Sequence, residues 1–217
     1  MDSVFEIIGP PMIGPSSSHT AGAARIGLAA RYLLGATPTI AKIGLHGSFA
    51  ATGHGHATDR AIVAGLLGFA PDDERLKNAL VLASEAGLDV EFATVDLGEE
   101  MHPNSAKVDL GSLNCIASSV GGGSIEIVEI DGFATRLGCT LDTLVFWHED
   151  KSGFLAHVTA VLACVRSNIA TIRTTRRHRG SPALTAVELD STPPSEATAL
   201  LAKISHVTKL RAIPPLG

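Results

Sequence analysis

Aromatic side chains are scarce, 4% of 217 residues with a single Trp and a single Tyr. A core must then be built from Ala, Val, Ile and Leu, which favours close-packed helices and sheet over an aromatic-rich binding face. Cysteine is scarcer still. Cys115, Cys139 and Cys164 show no metal-ligand spacing and lie among apolar or small residues, so they read as reduced, mostly structural thiols of a cytosolic protein. Basic excess is missing too, with 17 Lys and Arg against 22 Asp and Glu. That balance disfavours a nucleic-acid partner, which needs a basic stripe. The one concentrated charge run, RTTRRHR at Arg173–Arg179, reads as a solvated strand edge or hairpin. No charged-then-apolar leader opens the sequence and no apolar run is long enough to span a bilayer. The expectation is a soluble, cytoplasmic protein without a membrane partner.

Two catalytic signatures are also absent. No lysine follows the Gly and Ser residues of IGPSSSHT, as a phosphate loop would require, and no G-x-S-x-G elbow presents a nucleophilic serine. What Ile13–Thr20 does present is a chain bend at Gly14-Pro15, the hydroxyls of Ser16, Ser17, Ser18 and Thr20, and the imidazole of His19, all where a small-residue helix begins. Such hydroxyls cap helices, and the positive end of a helix favours a carboxylate. A histidine beside it can take a proton near neutral pH. Capping alone would also explain the serines.

Helix one is expected over about Ala21 to Leu34, with Ile26, Leu28, Leu33 and Leu34 inward and Arg25 and Arg31 outward. Gly22 and Gly27 each cost about 1 kcal/mol of helix propensity relative to alanine, which points to close approach by another backbone or a ligand. Ser3–Ile8 is an apolar opening segment stopped by Gly9-Pro10-Pro11. Ile40–Leu45 reads as a strand, with His46-Gly47-Ser48 turning out of it. Phe49–Asp59, FAATGHGHATD, holds the pair His54 and His56; Thr58 or Thr52 is expected to cap a helix through Arg60–Leu67. Pro71–Glu74 starts an amphipathic helix whose apolar positions are Leu76, Ala79, Leu80 and Ala83, closed by Gly87. Strands follow at Asp89–Val95, Lys107–Leu110, Asn114–Val120 and Ser124–Ile130, with His102-Pro103-Asn104 as a rigid corner and Gly121-Gly122-Gly123 as a hairpin or bulge. A boundary falls near Arg136–Asp142. Beyond it the pattern is strand Thr143–His148, helix Gly153–Arg166, strand Ile169–Arg176, strand Ala183–Asp190, helix Ser195–Ile204 and strand Val207–Ile213, a βαββαβ unit.

Three histidine-bearing corners thus stand in the first part: His19, His54 with His56, and His102. Three histidines could ligate zinc, but the glycine-flanked pair has no evident carboxylate to orient it. Proton abstraction from a small acid uses more of the parts: the hydroxyls and helix end hold the carboxylate, a histidine is the base, and Asn104 offers donor and acceptor.

The runs SVFEIIGPPMIGPSSSHTAGAARIG, HGSFAATGHGHATD, HPNSAK and VGGGSIEI, in this order, resemble the beta chain of the iron–sulfur L-serine dehydratases, and the tail resembles an ACT regulatory domain. The resemblance implies an α+β protein: a mixed α/β serine dehydratase beta-type domain over residues 1–140 and a ferredoxin-like ACT domain over 141–217. It implies pairing with an alpha chain to convert L-serine to pyruvate and ammonia, with a [4Fe-4S] cluster held by that alpha chain and no metal site on this one. His19, His56 and His102 become candidate catalytic residues. Ser16, Ser17, Ser18, Thr20, Thr58, Asp59 and Asn104 become substrate-binding candidates. In the tail, Asp150, Gly153 and Asn168 are the positions for ligand control, and self-association through the ACT domain is expected. The alternative from another class is a non-catalytic amino-acid sensor built of the same two modules, which would have no need of His56.

Overall fold

Small-residue helices fill the start of the chain and strands its middle. The computed structural model, which describes residues 12–53 and 55–216, sorts them into two compact units. The expected opening segment Ser3–Ile8, its Gly9-Pro10-Pro11 stop and His54 lie outside the described residues.

The first unit holds the described residues up to Gly132 together with Arg136–Gly138. A π-helical turn, Ser17–Ala21, runs directly into α1, Gly22–Leu34, which ends on Gly35 in the left-handed conformation. Strand β1 (Ile40–Leu45) is followed by α2 (Gly47–Thr52) and α3 (Thr58–Leu66). A 3-10 turn at Glu74–Asn78 leads into α4 (Ala79–Glu85) and β2 (Asp89–Thr94). Then come β3 (Ser105–Asp109), β4 (Asn114–Gly121), β5 (Ser124–Ile130) and β6 (Phe133–Leu137). They form one six-stranded sheet in the order β2-β1-β3-β4-β5-β6. β1 pairs parallel with β2, Ile40 opposite Asp89, and antiparallel with β3 on its other side. α1 lies against β4, β5 and α3.

The two glycines of α1 have separate reasons. A Cβ on Gly27 would stand 2.0 Å from the Ile62 carbonyl oxygen of α3, and a Cβ on Gly65 would stand 2.0 Å from that of Ala24, so the two helices touch backbone to backbone. At Gly22 the crowding atom is Ser119 Oγ, 2.1 Å away. The core between helices and sheet is aliphatic, as the missing aromatics require: Ile26, Leu33, Ile43, Ile62, Leu66 and Ile127 are each almost fully buried. Each such side chain contributes roughly 1.5–3 kcal/mol by leaving water.

Several sequence expectations are corrected. Arg25 points inward, 7% exposed, with Nη1 donating to Gly123 O at 2.7 Å, so it braces the triple-glycine turn from inside. Arg31 is half-buried and donates to Leu66 O. Gly47 and Ser48 open a helix instead of a turn because the Pro103 carbonyl accepts the N–H groups of Ser48 and Phe49. Neither Thr52 nor Thr58 caps α3, which starts on Ala57 with φ 59°; Thr52 Oγ1 donates to Ser48 O instead. The expected helix of Leu76 to Ala83 is split by its 3-10 turn, and Leu80 is exposed.

The second unit comprises Phe133–Thr135 and Cys139–Leu216. β7 (Asp142–Glu149), α5 (Phe154–Cys164), β8 (Ile169–Arg176), β9 (Pro182–Leu189), α6 (Ser195–Leu201) and β10 (Val207–Ile213) build a four-stranded sheet in the order β10-β7-β9-β8, paired antiparallel throughout. Leu144, Phe146, Phe154, Val158, Leu162, Val187, Leu189 and Leu201 form its core. His148 is part of that core: its ring stacks on Phe154 at 3.6 Å and Nε2 meets Thr185 Oγ1 at 2.8 Å. Arg173 and Arg176 of the charge run sit on β8, the sheet edge, where charge discourages pairing with another strand, and Arg177 and Arg179 lie in the turn that follows.

Cys115 and Cys139 are buried, as structural thiols are, whereas Cys164 is exposed. Burial pushes the Cys139 thiol up to about 12, far from the thiolate form that reacts. Ellman's reagent is therefore expected to modify one thiol per native chain quickly and the other two only after denaturation; three fast thiols would contradict the burial of Cys115 and Cys139.

Candidate functional site

The bend at Gly14-Pro15 delivers three serines to the start of the π-helical turn, and the side chains of two of them, Ser16 and Ser18, are engaged there. Ser16 is the N-cap, its Oγ accepting the His19 N–H at 3.1 Å. Ser18 Oγ lies 3.4 Å from Ser16 Oγ and 3.1 Å from His19 Nδ1. On the other side of the imidazole, Nε2 meets Ser48 Oγ at 3.1 Å. Phe49, fully buried, packs edge-on against the His19 ring at 5.3 Å. The ring is thus gripped through both nitrogens and walled on one side by an apolar face.

His56 completes the pair of imidazoles, its centroid 5.1 Å from that of His19. Two threonines sew the motifs together: Thr20 Oγ1 donates to His56 O at 3.1 Å, and Thr58 Oγ1 donates to His19 O at 3.0 Å. Both threonines are fully buried. His56 Nδ1 is buried without a hydrogen-bond partner among the described residues; leaving such a group unmet costs about 1–3 kcal/mol. Burial, then the nearby His56 charge, lower the pKa of His19 from the ordinary 6.5, while hydrogen bonding with the Ser48 backbone opposes them. At neutral pH His19 is therefore a neutral ring able to accept a proton.

The third corner arrives through its backbone. Pro103 O accepts from Ser48 N at 2.8 Å, and Asn104 O accepts from Ser119 N at 2.8 Å. The His102 ring turns back on its own corner, Nδ1 accepting the Asn104 N–H at 3.1 Å. No hydrogen bond or ring contact joins His102 to the two imidazoles among the described residues. Asp59 is 6% exposed in the first turn of α3. With Leu45, Ala50, Gly53 and Phe92 it lines a depression of about 170 Å³.

Of the tail candidates, Asp150 pairs with Arg176 at the end of β8, and Gly153 starts α5 in the left-handed conformation. Asn168 stands before the opposite end of β8 and donates to Asp190 Oδ2 at 2.5 Å. The structure does not bring Asn168 together with the other two within one chain.

Sequence reasoning missed Ser48. It stands in the quoted run HGSFAATGHGHATD, yet its role depends on a contact 29 residues away that no local spacing reveals. Among the described residues no three His, Cys, Asp or Glu side chains gather as a metal-binding group, and no helix is long and apolar enough to cross a membrane.

Residues 3–87 match the family described as Serine dehydratase beta chain, and this stretch contains both imidazoles and Ser48. A protein described as probable L-serine dehydratase, beta chain, from Bacillus subtilis (strain 168) is 43% identical over 215 residues, covering 97% of each chain. The L-serine dehydratase, beta chain, of Peptoniphilus asaccharolyticus is 40% identical over 193 residues, 87% of each. The L-serine dehydratase TdcG of Escherichia coli (strain K12) is 48% identical over 81 residues, 34% of this chain and 17% of that protein. By its near full-length identity to these beta chains, this chain belongs to the serine dehydratase beta-chain family.

Proposed function

We propose that the chain is the beta subunit of an L-serine dehydratase, which with an alpha chain converts L-serine to pyruvate and ammonia. The observation that carries this reading is the convergence of His19, His56, Ser18 and Ser48 at one end of α1, where a neutral imidazole sits among hydroxyls. The reaction removes the α-proton of serine and expels the β-hydroxyl; the enamine left behind tautomerises and loses ammonia to water. His19 suits the first event, since its neutral ring can accept a proton. Ser16, Ser17 and Ser18, with the N-terminal turn, suit the substrate carboxylate. Thr20 and Thr58 hold the two motifs in register, and Pro103, between His102 and Asn104, backs Ser48 through its carbonyl. Asp59 faces a depression in which a substrate ammonium would be stabilised.

The [4Fe-4S] cluster of this enzyme class does not fit the residues of this chain: two of its three cysteines are buried, and the Cys139 thiol is pushed up to about 12. We place the cluster on the alpha chain. The tail, with its βαββαβ order, we read as an ACT module for regulation and self-association. Because its candidate residues lie at both ends of β8, a second copy is required to unite Asp150 and Gly153 with an Asn168.

The test is anaerobic pyruvate release from L-serine by this chain alone, by the alpha chain alone and by both with the cluster reconstituted. Turnover is expected only in the pair. A pair with a spectroscopically intact cluster and no turnover would overturn the reading and favour the amino-acid sensor.

A further inference from the structure

Ser48 ties together three stretches that are distant in sequence. Its hydroxyl meets His19 Nε2 at 3.1 Å, and its N–H is held by Pro103 O at 2.8 Å. Its own carbonyl accepts from Thr52 Oγ1 at 2.9 Å. Gly47, just before it, has φ 54°, and a Cβ there would fall 2.7 Å from Pro103 O, so the His102-Pro103-Asn104 corner presses directly on the start of α2. The Ser48 backbone is thereby fixed, and with it the direction from which the hydroxyl reaches the imidazole.

The hydrogen-bond network also offers the protons a continuous path through the ring. Ser16 Oγ uses one of its two lone pairs on the His19 N–H and can give its own proton to Ser18 Oγ. Ser18 then donates to His19 Nδ1. In that ordering Nε2 carries the ring proton and gives it to Ser48 Oγ; the reverse ordering, with Ser18 donating to Ser16 and accepting from Nδ1–H, would make Ser48 the donor to Nε2. A base oriented by a third group, with a hydroxyl on its far side, is the arrangement that activated Ser–His pairs use.

We propose that Ser48 is a positioning residue that holds His19 as its Nε2–H tautomer, so that Nδ1, facing Ser18, is the nitrogen that takes the proton. The proposal rests on the dehydratase reading for its catalytic consequence but not for the tautomer itself. A substrate proton thus reaches Nδ1 either directly or by exchange with the Ser18 hydroxyl, which gives its proton to Nδ1 as it receives the substrate's. No redox partner is needed, and His19 ends as the imidazolium with Ser48 accepting from it.

The experiment has two readouts. In the full beta chain labelled with 15N-histidine, with His19 assigned by the His19→Gln variant, the wild-type ring is expected to show a protonated Nε2 and an unprotonated Nδ1. Ser48→Ala is expected to yield a mixture of tautomers, as is Ser48→Cys, which is isosteric and a poor acceptor; Ser48→Thr keeps the wild-type pattern. In the complex with the alpha chain, Ser48→Ala and Ser48→Cys are expected to lower kcat about 10- to 100-fold, part of the roughly 10²–10⁴ that a placed base supplies. KM stays within about threefold, as expected where transition-state rather than uniform binding is lost, and Ser48→Thr restores most of the turnover. A wild-type Nδ1–H tautomer, an unchanged tautomer in both Ala and Cys variants, or full turnover by both overturns the proposal. Absence of pyruvate from the wild-type pair overturns the dehydratase reading instead, and the tautomer measurement still decides the role of Ser48.

Discussion

His19→Ala in the two-chain assembly is expected to lower kcat about 10²- to 10⁴-fold, the range by which a positioned acid or base accelerates proton transfer. The subunits should still associate, because the hydrogen bonds that join the first two motifs run through the His19 carbonyl and the Thr20 hydroxyl, neither of which the substitution removes. The pH profile carries the same signature. Burial and the charge of His56 lower the His19 pKa from 6.5, so the acid limb of kcat/KM in the wild type lies below pH 6.5 and disappears in the variant. Stability follows the same sign: the unfolded chain binds this proton more readily, so His19 weakens the fold as pH falls below 6.5 and toward its folded value, and has no such effect above. A variant within threefold of wild-type turnover, or one whose acid limb is unmoved, would remove His19 from the chemistry.

The second large effect is one of packing. Gly27→Ala and Gly65→Ala are each expected to cost about 3 kcal/mol or more, at the upper end of overpacking penalties, since the added methyl meets backbone and not a movable side chain. On Gly27 it would lie 2.0 Å from Ile62 O and 2.9 Å from Leu66 N; on Gly65, 2.0 Å from Ala24 O and 2.6 Å from Leu28 N. Intrinsic propensity predicts the opposite sign, a gain of about 1 kcal/mol per substitution. Urea unfolding decides between them. The double variant is expected to lose less than the sum, because helices already forced apart by one methyl have room for the second. A loss under about 1 kcal/mol for both single variants would mean that the helices are not in backbone contact.

Strands with unbroken apolar or alternating runs were legible: Ile40–Leu45, Ile169–Arg176 and Val207–Ile213 lie where their patterns put them. The first motif was legible as an N-cap because Ser16 acts within three residues of itself. β6 was missed although its signal was local. Asp131 and Gly132 take φ 49° and 76° between β5 and β6, and an Asp-Gly pair between apolar runs is a strong hairpin marker. The inward turn of Arg25 and the start of α2 had no local signal, since both depend on carbonyls, Gly123 and Pro103, that reach them from far along the chain. The same holds for Thr58, which looks like a cap in sequence and instead donates to His19 O.

The mixed pairing of β1 sets a timetable for the chain. On one side, β3, β4 and β5 follow one another through short connections and can zip up locally. On the other, β2 reaches its parallel neighbour only after the whole of α2, α3 and α4 has been laid down. Contacts of long sequence separation form late, because their loop-closure entropy must be met before they give any return. Those joining His19 to Ser48 and Thr20 to His56 span 29 and 36 residues, less than the separation from Ile40 to Asp89 that β1 and β2 must close. The two imidazole motifs are then expected to meet after the β3–β4–β5 hairpins have formed and before β1 finds its partners on either side.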